Sequence, residues 1–219
     1  MSTYVVTGAN RGIGLELTKA LLSRSETVVG VCRRSSDELA SSGARVIAGV
    51  DLTTDDGVEA LAKALAGTRI DVLVNNAGLL VPDGLDTFER DALTQQMEVN
   101  AFGPLRLTRA LLPLVESHGK VVLVTSRMGS MGDNHSGGYY GYRMSKAAAN
   151  AAFVSLARDV GPRGVAVGLF HPGMVATEMT GGNGIPPAEA AAGLLRRIDE
   201  LDVHNAGRFL HQNGDALPW

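Results

Sequence analysis

At 219 residues and 22.9 kDa the chain has the length of one α/β domain and is long enough to bury a core without disulfide or metal staples. Its 45% hydrophobic and 20% charged residues are the balance of a folded globular protein, and a net charge of −3 with a pI ≈ 5.9 argues against nucleic acid or an anionic membrane as the main partner. A lone cysteine, Cys32, excludes an intrachain disulfide and a Cys-built zinc site, and the absence of a long apolar run or of a signal-peptide pattern in MSTYVVTGANRG leads us to expect a cytoplasmic protein.

The first apolar run, Tyr4–Thr7, opens directly into Gly8-Ala9-Asn10-Arg11-Gly12-Ile13-Gly14, and a helical pattern follows over Ile13–Ser23. A glycine turn between a strand and a helix lets backbone approach a pyrophosphate, while the helix start offers free N–H groups and the positive end of its dipole. Lys-Ser/Thr does not follow the last glycine, so this is no P-loop.

The second strand, Thr27–Cys32, ends in Arg33-Arg34-Ser35-Ser36 with no acid before Asp37. NAD calls for a carboxylate there to accept from the ribose 2′-hydroxyl, whereas the 2′-phosphate of NADP calls for arginine. Arg33 and Arg34, with Arg11 closing from the glycine turn, therefore favour NADP(H), with NAD(H) as the lesser option. The third strand, Arg45–Val50, ends at Asp51-Leu52, where an adenine could be bracketed. A helix over Asp55–Ala66 leads to the fourth strand, Asp71–Asn75, and its paired Asn75 and Asn76 are suited to brace a strand end.

A long helix is predicted over Phe88–Glu116, with a kink or break at Gly103-Pro104. Asn100 lies inside it, where asparagine is disfavoured, and signals a local break or a bound water. The fifth strand, Lys120–Thr125, delivers Ser126 at its carboxyl end, where ligand crevices of parallel sheets lie and a hydroxyl can donate to a developing alkoxide. The helix over Tyr142–Val160 carries Lys146 four residues after Tyr142, on the same face. Lys146 is one of only four lysines. An ammonium beside a phenol lowers the phenol's pKa and makes it a usable general acid or base. Farther along, Ala147–Ala152 is small on several faces, suited either to packing on the chain's own sheet or to a subunit contact. The sixth strand, Val165–Phe170, a helix over Pro187–Glu200 and a last strand, Arg208–Leu210, complete the pattern. The strands are apolar throughout rather than alternating, as in a parallel sheet buried on both faces. The βα alternation implies one doubly wound α/β domain over residues 1–219. His118, His135, His171, His204 and His211 lack ligand spacing, and no metal site is expected.

Taken in order, Thr7–Gly14, Asn75–Gly78, Asn100, Ser126, Tyr142–Lys146 and the PGxxxT of Pro172–Thr177 resemble the short-chain dehydrogenases/reductases over the whole chain. In finer detail SRMGSM, YRMSKAAAN and HPGMVATEM look like the C-factor-like and sniffer-like carbonyl reductase branch. The resemblance implies a Rossmann-type sheet of seven parallel strands in a three-layer α/β/α domain, and a homodimer or homotetramer. It implies that Tyr142 exchanges a proton with the carbonyl oxygen and that Ser126 polarises that carbonyl. Lys146 would tune Tyr142 and bind the nicotinamide ribose, and Asn100 would hold a water linking Lys146 to solvent. Gly8, Asn10, Gly12, Ile13 and Gly14 would meet the cofactor at the turn, Asn76, Ala77 and Gly78 after the fourth strand. Pro172, Gly173, Val175 and Thr177 would meet its nicotinamide end. Against the pattern, sixteen positions separate Ser126 from Tyr142, a few more than usual, so a bulged loop carrying Asp133, Asn134 and His135 is expected at the pocket rim. The lid, around residues 177–190, is short, which implies an open pocket. Leu79, Leu80, Met128, Met174 and Met179 are candidates for an apolar wall or for ordinary core. The function expected is hydride transfer between NADP(H) and a small or medium carbonyl or alcohol. The alternatives are a non-redox epimerase or dehydratase on the same fold, and a dinucleotide-binding signalling protein.

Overall fold

A computed structural model describes residues 1–219. Seven strands, β1 (Thr3–Thr7), β2 (Thr27–Val31), β3 (Arg45–Ile47), β4 (Ile70–Asn75), β5 (Val115–Val124), β6 (Ala166–His171) and β7 (Phe209–His211), pair in parallel in the order β3-β2-β1-β4-β5-β6-β7. The order reverses between β1 and β4, the switch point at which open α/β sheets bind ligands. Alternate residues of each strand serve opposite cores. Val5, Leu73, Val121 and Val167 pack on one face, against the helices α3 (Asp55–Ala64), α5 (Gly103–Leu111) and α6 (Tyr140–Val160). Tyr4, Val6, Val72, Val74 and Val122 pack on the other, against α1 (Gly12–Ser23) and α7 (Pro187–Glu200). Burial on both faces is why these strands read as unbroken apolar runs. No helix is long and apolar enough to cross a membrane.

The expected helix over Phe88–Glu116 is instead four pieces. Helix α4 (Arg90–Met97) runs into a π-helical turn at Glu98–Phe102, α5 follows, and a 3-10 turn at Leu112–Leu114 ends the run before β5. The break falls one turn upstream of Pro104, because proline lacks an N–H and is tolerated only in a first helical turn. The Gly103 N–H bonds Glu98 O five residues back, and a side chain on Gly103 would meet that carbonyl at 2.9 Å. Strand β5 starts earlier than its apolar run, since Val115 pairs with Ile70 before a register shift that returns Lys120 to Val72. His118 takes up that irregularity at φ 70. A single helical turn, α2 (Asp37–Ala40), capped by Ser36, was not anticipated. On α6, Ala149 and Asn150 are buried against the chain's own core while Ala151 is exposed.

Gly14 packs tightly between the turn after β1 and the end of β4. A Cβ there would lie 2.2 Å from Gly8 O and 2.6 Å from Asn76 Nδ2. Gly14→Ala is therefore expected to cost about 1–3 kcal/mol, read as a lowered Tm. Gly161→Ala, with nothing within 4 Å of its added carbon, is the control that keeps its Tm.

Candidate active site

The turn after β1 is tied to the segment that follows β4. The Thr7 hydroxyl accepts from the N–H groups of Asn76 and Ala77, both at 3.0 Å, and Asn76 Nδ2 donates to Thr7 O at 2.9 Å. Asn75 reaches the other way, to Thr108 Oγ1 at 3.1 Å. Gly8 and Gly12 take positive φ of 65° and 55°. Helix α1 starts from Arg11 with no side-chain cap, leaving its first N–H groups free for an anion. A Cβ on Gly12 would meet only Thr177, at 3.2 Å. An uncapped helix start behind a glycine cradle fits a dinucleotide pyrophosphate. Asn10 is tied to the β2 end, its carbonyl accepting from Ser36 Oγ at 2.7 Å. Ile13 packs on the core behind the turn.

The three arginines differ in their engagements. Arg33 and Arg34 are exposed and join no ion pair. Arg11 is instead paired with Glu178, on the far side of the turn. Glu178 lies beyond the PGxxxT motif and carried no signal of its own. Asp51 turns into a local bond, its Oδ1 accepting from the Thr53 N–H at 2.9 Å and hydroxyl at 2.7 Å. These bonds hold its carboxyl below the usual range, with a smaller contribution from Arg33 nearby. Leu52 is half-buried against the core.

Tyr142, Lys146, Ser126, Asn100 and Gly78 converge. Tyr142 and Lys146 are buried on one face of α6, with Lys146 Nζ 5.7 Å from the centre of the Tyr142 ring. The ammonium donates to Val124 O at 3.1 Å, one residue before the end of the strand run that leads to Ser126. A Cβ on Gly78 would touch both Asn100 Oδ1, at 3.4 Å, and Lys146 Nζ, at 3.8 Å. Asn100 sits in the π turn and is fully buried, gripping Leu79 N–H and C=O at 2.8 and 2.7 Å and Ser145 Oγ at 3.0 Å. Its amide hydrogens are spent, but its carbonyl keeps one lone pair. Ser126 also accepts from Met128 N–H at 3.2 Å, so it caps a 3-10 turn and faces the phenol at once.

Burial pushes the Tyr142 phenol up to about 12, and the Ser126 hydroxyl offsets part of this. Lys146, expected to lower the phenol, is itself brought down to about 8 by burial.

Beyond β6, Pro172 is buried and Gly173 takes φ 87°. Val175 is buried and bridges Ile185 across the neck of the lid, and Thr177 starts a 3-10 turn over Glu178–Thr180. Met174 and Met179 are exposed rather than core. Met128 lines a 290 Å³ cleft with Tyr140, Arg143 and Met144 of α6. His171 stacks edge-on against His211 at 5.2 Å, and burial, then His211, push it down to about 3, so it is a neutral strand-end group.

Residues 2–185 match the family model described as short chain dehydrogenase. Across its whole length the chain is 42% identical to 1-hydroxy-2-glutathionyl-2-methyl-3-butene dehydrogenase of Rhodococcus sp. strain AD45, covering 100% of that protein. It is 42% identical to the C-signal protein of Myxococcus xanthus over 68% of this chain and 93% of that one. Among solved structures, an NADPH-bound carbonyl reductase from chicken fatty liver superposes with a TM-score of 0.91, at 26% identity, over 100% of this chain and 99% of that one.

The buried ammonium has a consequence for stability. Between pH values of about 8 and 10.5 the unfolded chain binds more protons at Lys146 than the folded one, so stability rises with pH there, and below pH 8 the full cost of burial is present. Lys146→Met is therefore expected to raise the ligand-free Tm at neutral pH, by up to about 3 kcal/mol of stability. The gain should shrink as pH rises toward 10. Thermal scans of both proteins across that range check it, and an unchanged Tm at neutral pH would overturn it.

Proposed function

The chain belongs to the short-chain dehydrogenase/reductase family of oxidoreductases, and from that premise we propose that it is an NADP(H)-dependent reductase of small or medium carbonyl compounds, or the dehydrogenase of the corresponding alcohols. The observation that carries the reading is the convergence of Tyr142, Lys146 and Ser126 at the carboxyl end of β5, beside the glycine cradle of the switch point.

When bound, the nicotinamide supplies the hydride to the carbonyl carbon, or accepts it from the alcohol. The chain supplies the proton and the orientation. In reduction, the Tyr142 hydroxyl gives its proton to the carbonyl oxygen as that oxygen gains the electron pair of the C=O bond. The Ser126 hydroxyl donates a hydrogen bond to the same oxygen. The phenolate that forms lies under the Lys146 ammonium, which stabilises charge where it develops. A phenol at about 12 keeps its proton at neutral pH and can serve as the acid. Asn100 positions the loop above Lys146, and its spare lone pair suits a water that returns a proton to the lysine. Asn76, Ala77, Gly78, Pro172, Gly173, Val175 and Thr177 frame the nicotinamide half, with Asp51 and Leu52 at the adenine end. The unpaired Arg33 and Arg34 suit a 2′-phosphate, and the NADPH of the chicken carbonyl reductase supports that choice. The Rhodococcus relative supports an alcohol or carbonyl substrate bearing a bulky thioether substituent. A second reading, a dinucleotide-binding signalling role, is favoured by the likeness to C-signal; the intact Tyr142–Lys146–Ser126 set weighs toward retained chemistry. The reading includes a homo-oligomer, with the exposed part of Ala147–Ala152 as the candidate contact.

Titration with NADPH and NADH, followed by fluorescence and thermal shift, is expected to favour NADPH by about tenfold or more, roughly 1.4 kcal/mol. Exchanging Arg33 and Arg34 together for alanine should erase most of that preference, and equal binding by the unmodified protein would reject the phosphate site. Tyr142→Phe should lower turnover of a carbonyl panel by about 10³-fold with cofactor affinity kept within about twofold. Full activity in that variant would reject the proton-transfer role.

A further inference from the structure

We propose that Asp83 is a positioning residue for Tyr142, clamping the start of the helix that carries it. The inference rests on the reading that Tyr142 exchanges the proton. Helix α6 has no side-chain cap of its own: its N-cap position is Tyr139, in the left-handed region at φ 53° and ψ 44°. The N–H groups at its start are taken by one residue, 58 positions upstream of Gly141. Tyr139 N–H donates to the Asp83 carbonyl at 2.9 Å, Tyr140 N–H to Asp83 Oδ1, and Gly141 N–H to Asp83 Oδ2 at 2.9 Å. Two oxygens of one carboxylate thus hold two successive amides at the positive end of a 21-residue helix, and Tyr142 is the next residue.

The clamp is anchored at its other end. Asp83 follows the loop that Asn100 grips at Leu79 and that Gln96 Oε1 grips at Val81 N–H, at 2.9 Å. The fit against α4 is close: a Cβ on Gly141 would lie 2.4 Å from Gln96 Nε2, 2.8 Å from Leu93 Cδ2 and 3.1 Å from Asp83 Oδ2. The same loop begins at Asn76–Gly78, on the rim of the cradle. Asp83 therefore ties the phenol's helix to the segment that frames the cofactor, and so sets the distance between proton donor and hydride donor. Displacements of this kind cost catalysis far more than binding.

The test compares Asp83→Ala and Asp83→Asn with the unmodified protein, measuring kcat and KM on a carbonyl panel, NADPH affinity by fluorescence, and amide hydrogen exchange over residues 139–146 by mass spectrometry. Asp83→Ala is expected to lower kcat by about 10- to 100-fold, leave NADPH affinity within about twofold, and speed exchange in the first turn of α6 alone. Asp83→Asn, which keeps one acceptor oxygen, should recover part of both losses; it also carries the comparison if the alanine variant fails to fold. Unchanged kcat in Asp83→Ala would overturn the proposal. So would a loss of kcat matched by an equal loss of cofactor affinity, which marks general unfolding. If the unmodified protein reduces no carbonyl, the oxidoreductase reading fails by itself, and unaltered exchange in the variants would still overturn the clamp.

Discussion

A lysine ammonium buried in the middle of the molecule is the constraint around which the rest is arranged. Lys146 has one backbone carbonyl within hydrogen-bond distance and an aromatic face beside it, too little to offset the loss of water. Its depressed pKa measures that imbalance. A fold built only for stability would place an apolar side chain here. The surrounding structure instead fixes the lysine by clamping both elements that flank it. Thr125 Oγ1 donates to Asn150 Oδ1 at 2.6 Å, tying the end of the β5 run to α6 one helical turn past Lys146. The π turn then brings Asn100 against Gly78 and Ser145, closing the third side. A π turn costs backbone regularity and recurs at functional sites for the same reason, that one extra residue re-aims a side chain.

The sheet was legible because its strands are buried on both faces. Val28–Val31, Val72–Val74 and Val121–Val124 carry no polar residue, and every strand includes such a run, although β5 begins ahead of its own, at Val115. The core of the site was legible too, because its residues are linked by local spacing: Gly8, Gly12 and Gly14 within one turn, Tyr142 and Lys146 within one helical turn. What could not be read is carried by contacts between distant segments. Glu178 meets Arg11 across 167 positions, and the Asp83 clamp crosses 58. Neither acid sits in a periodic pattern, and nothing in sequence separates a carboxylate that caps a remote helix from one that faces solvent. The break in the long helix was legible at Asn100 and at Gly103-Pro104, but its π form was not: there the Leu52 carbonyl packs against Gly103, 3.0 Å from the Cβ it lacks.

The arginines show how geometry separates residues that composition treats alike. Arg11, Arg33 and Arg34 converge in sequence logic on one phosphate. In the fold, Ser36 closes the β2 end onto Asn10, while Arg11 reaches across to the lid. An exposed pair of this kind contributes little to stability. Its position is the informative part. Thr177 lies over Gly12 and Glu178 follows it, so the Arg11–Glu178 pair spans the mouth of the phosphate cradle between the turn and the lid. Arg11 is thus engaged by a carboxylate, whereas Arg33 and Arg34 are not.

The pKa values of the pair also bear on the proposed proton transfer. Burial pushes Tyr142 up to about 12 and Lys146 down to about 8, so at neutral pH the phenol holds its proton and the lysine stays largely charged. In the proposed reduction Tyr142 starts neutral and becomes charged only as the alkoxide forms. Its charge then appears beside an ammonium in a medium where attraction is strong. The same burial that makes the lysine costly in the resting protein is what gives it leverage at that moment.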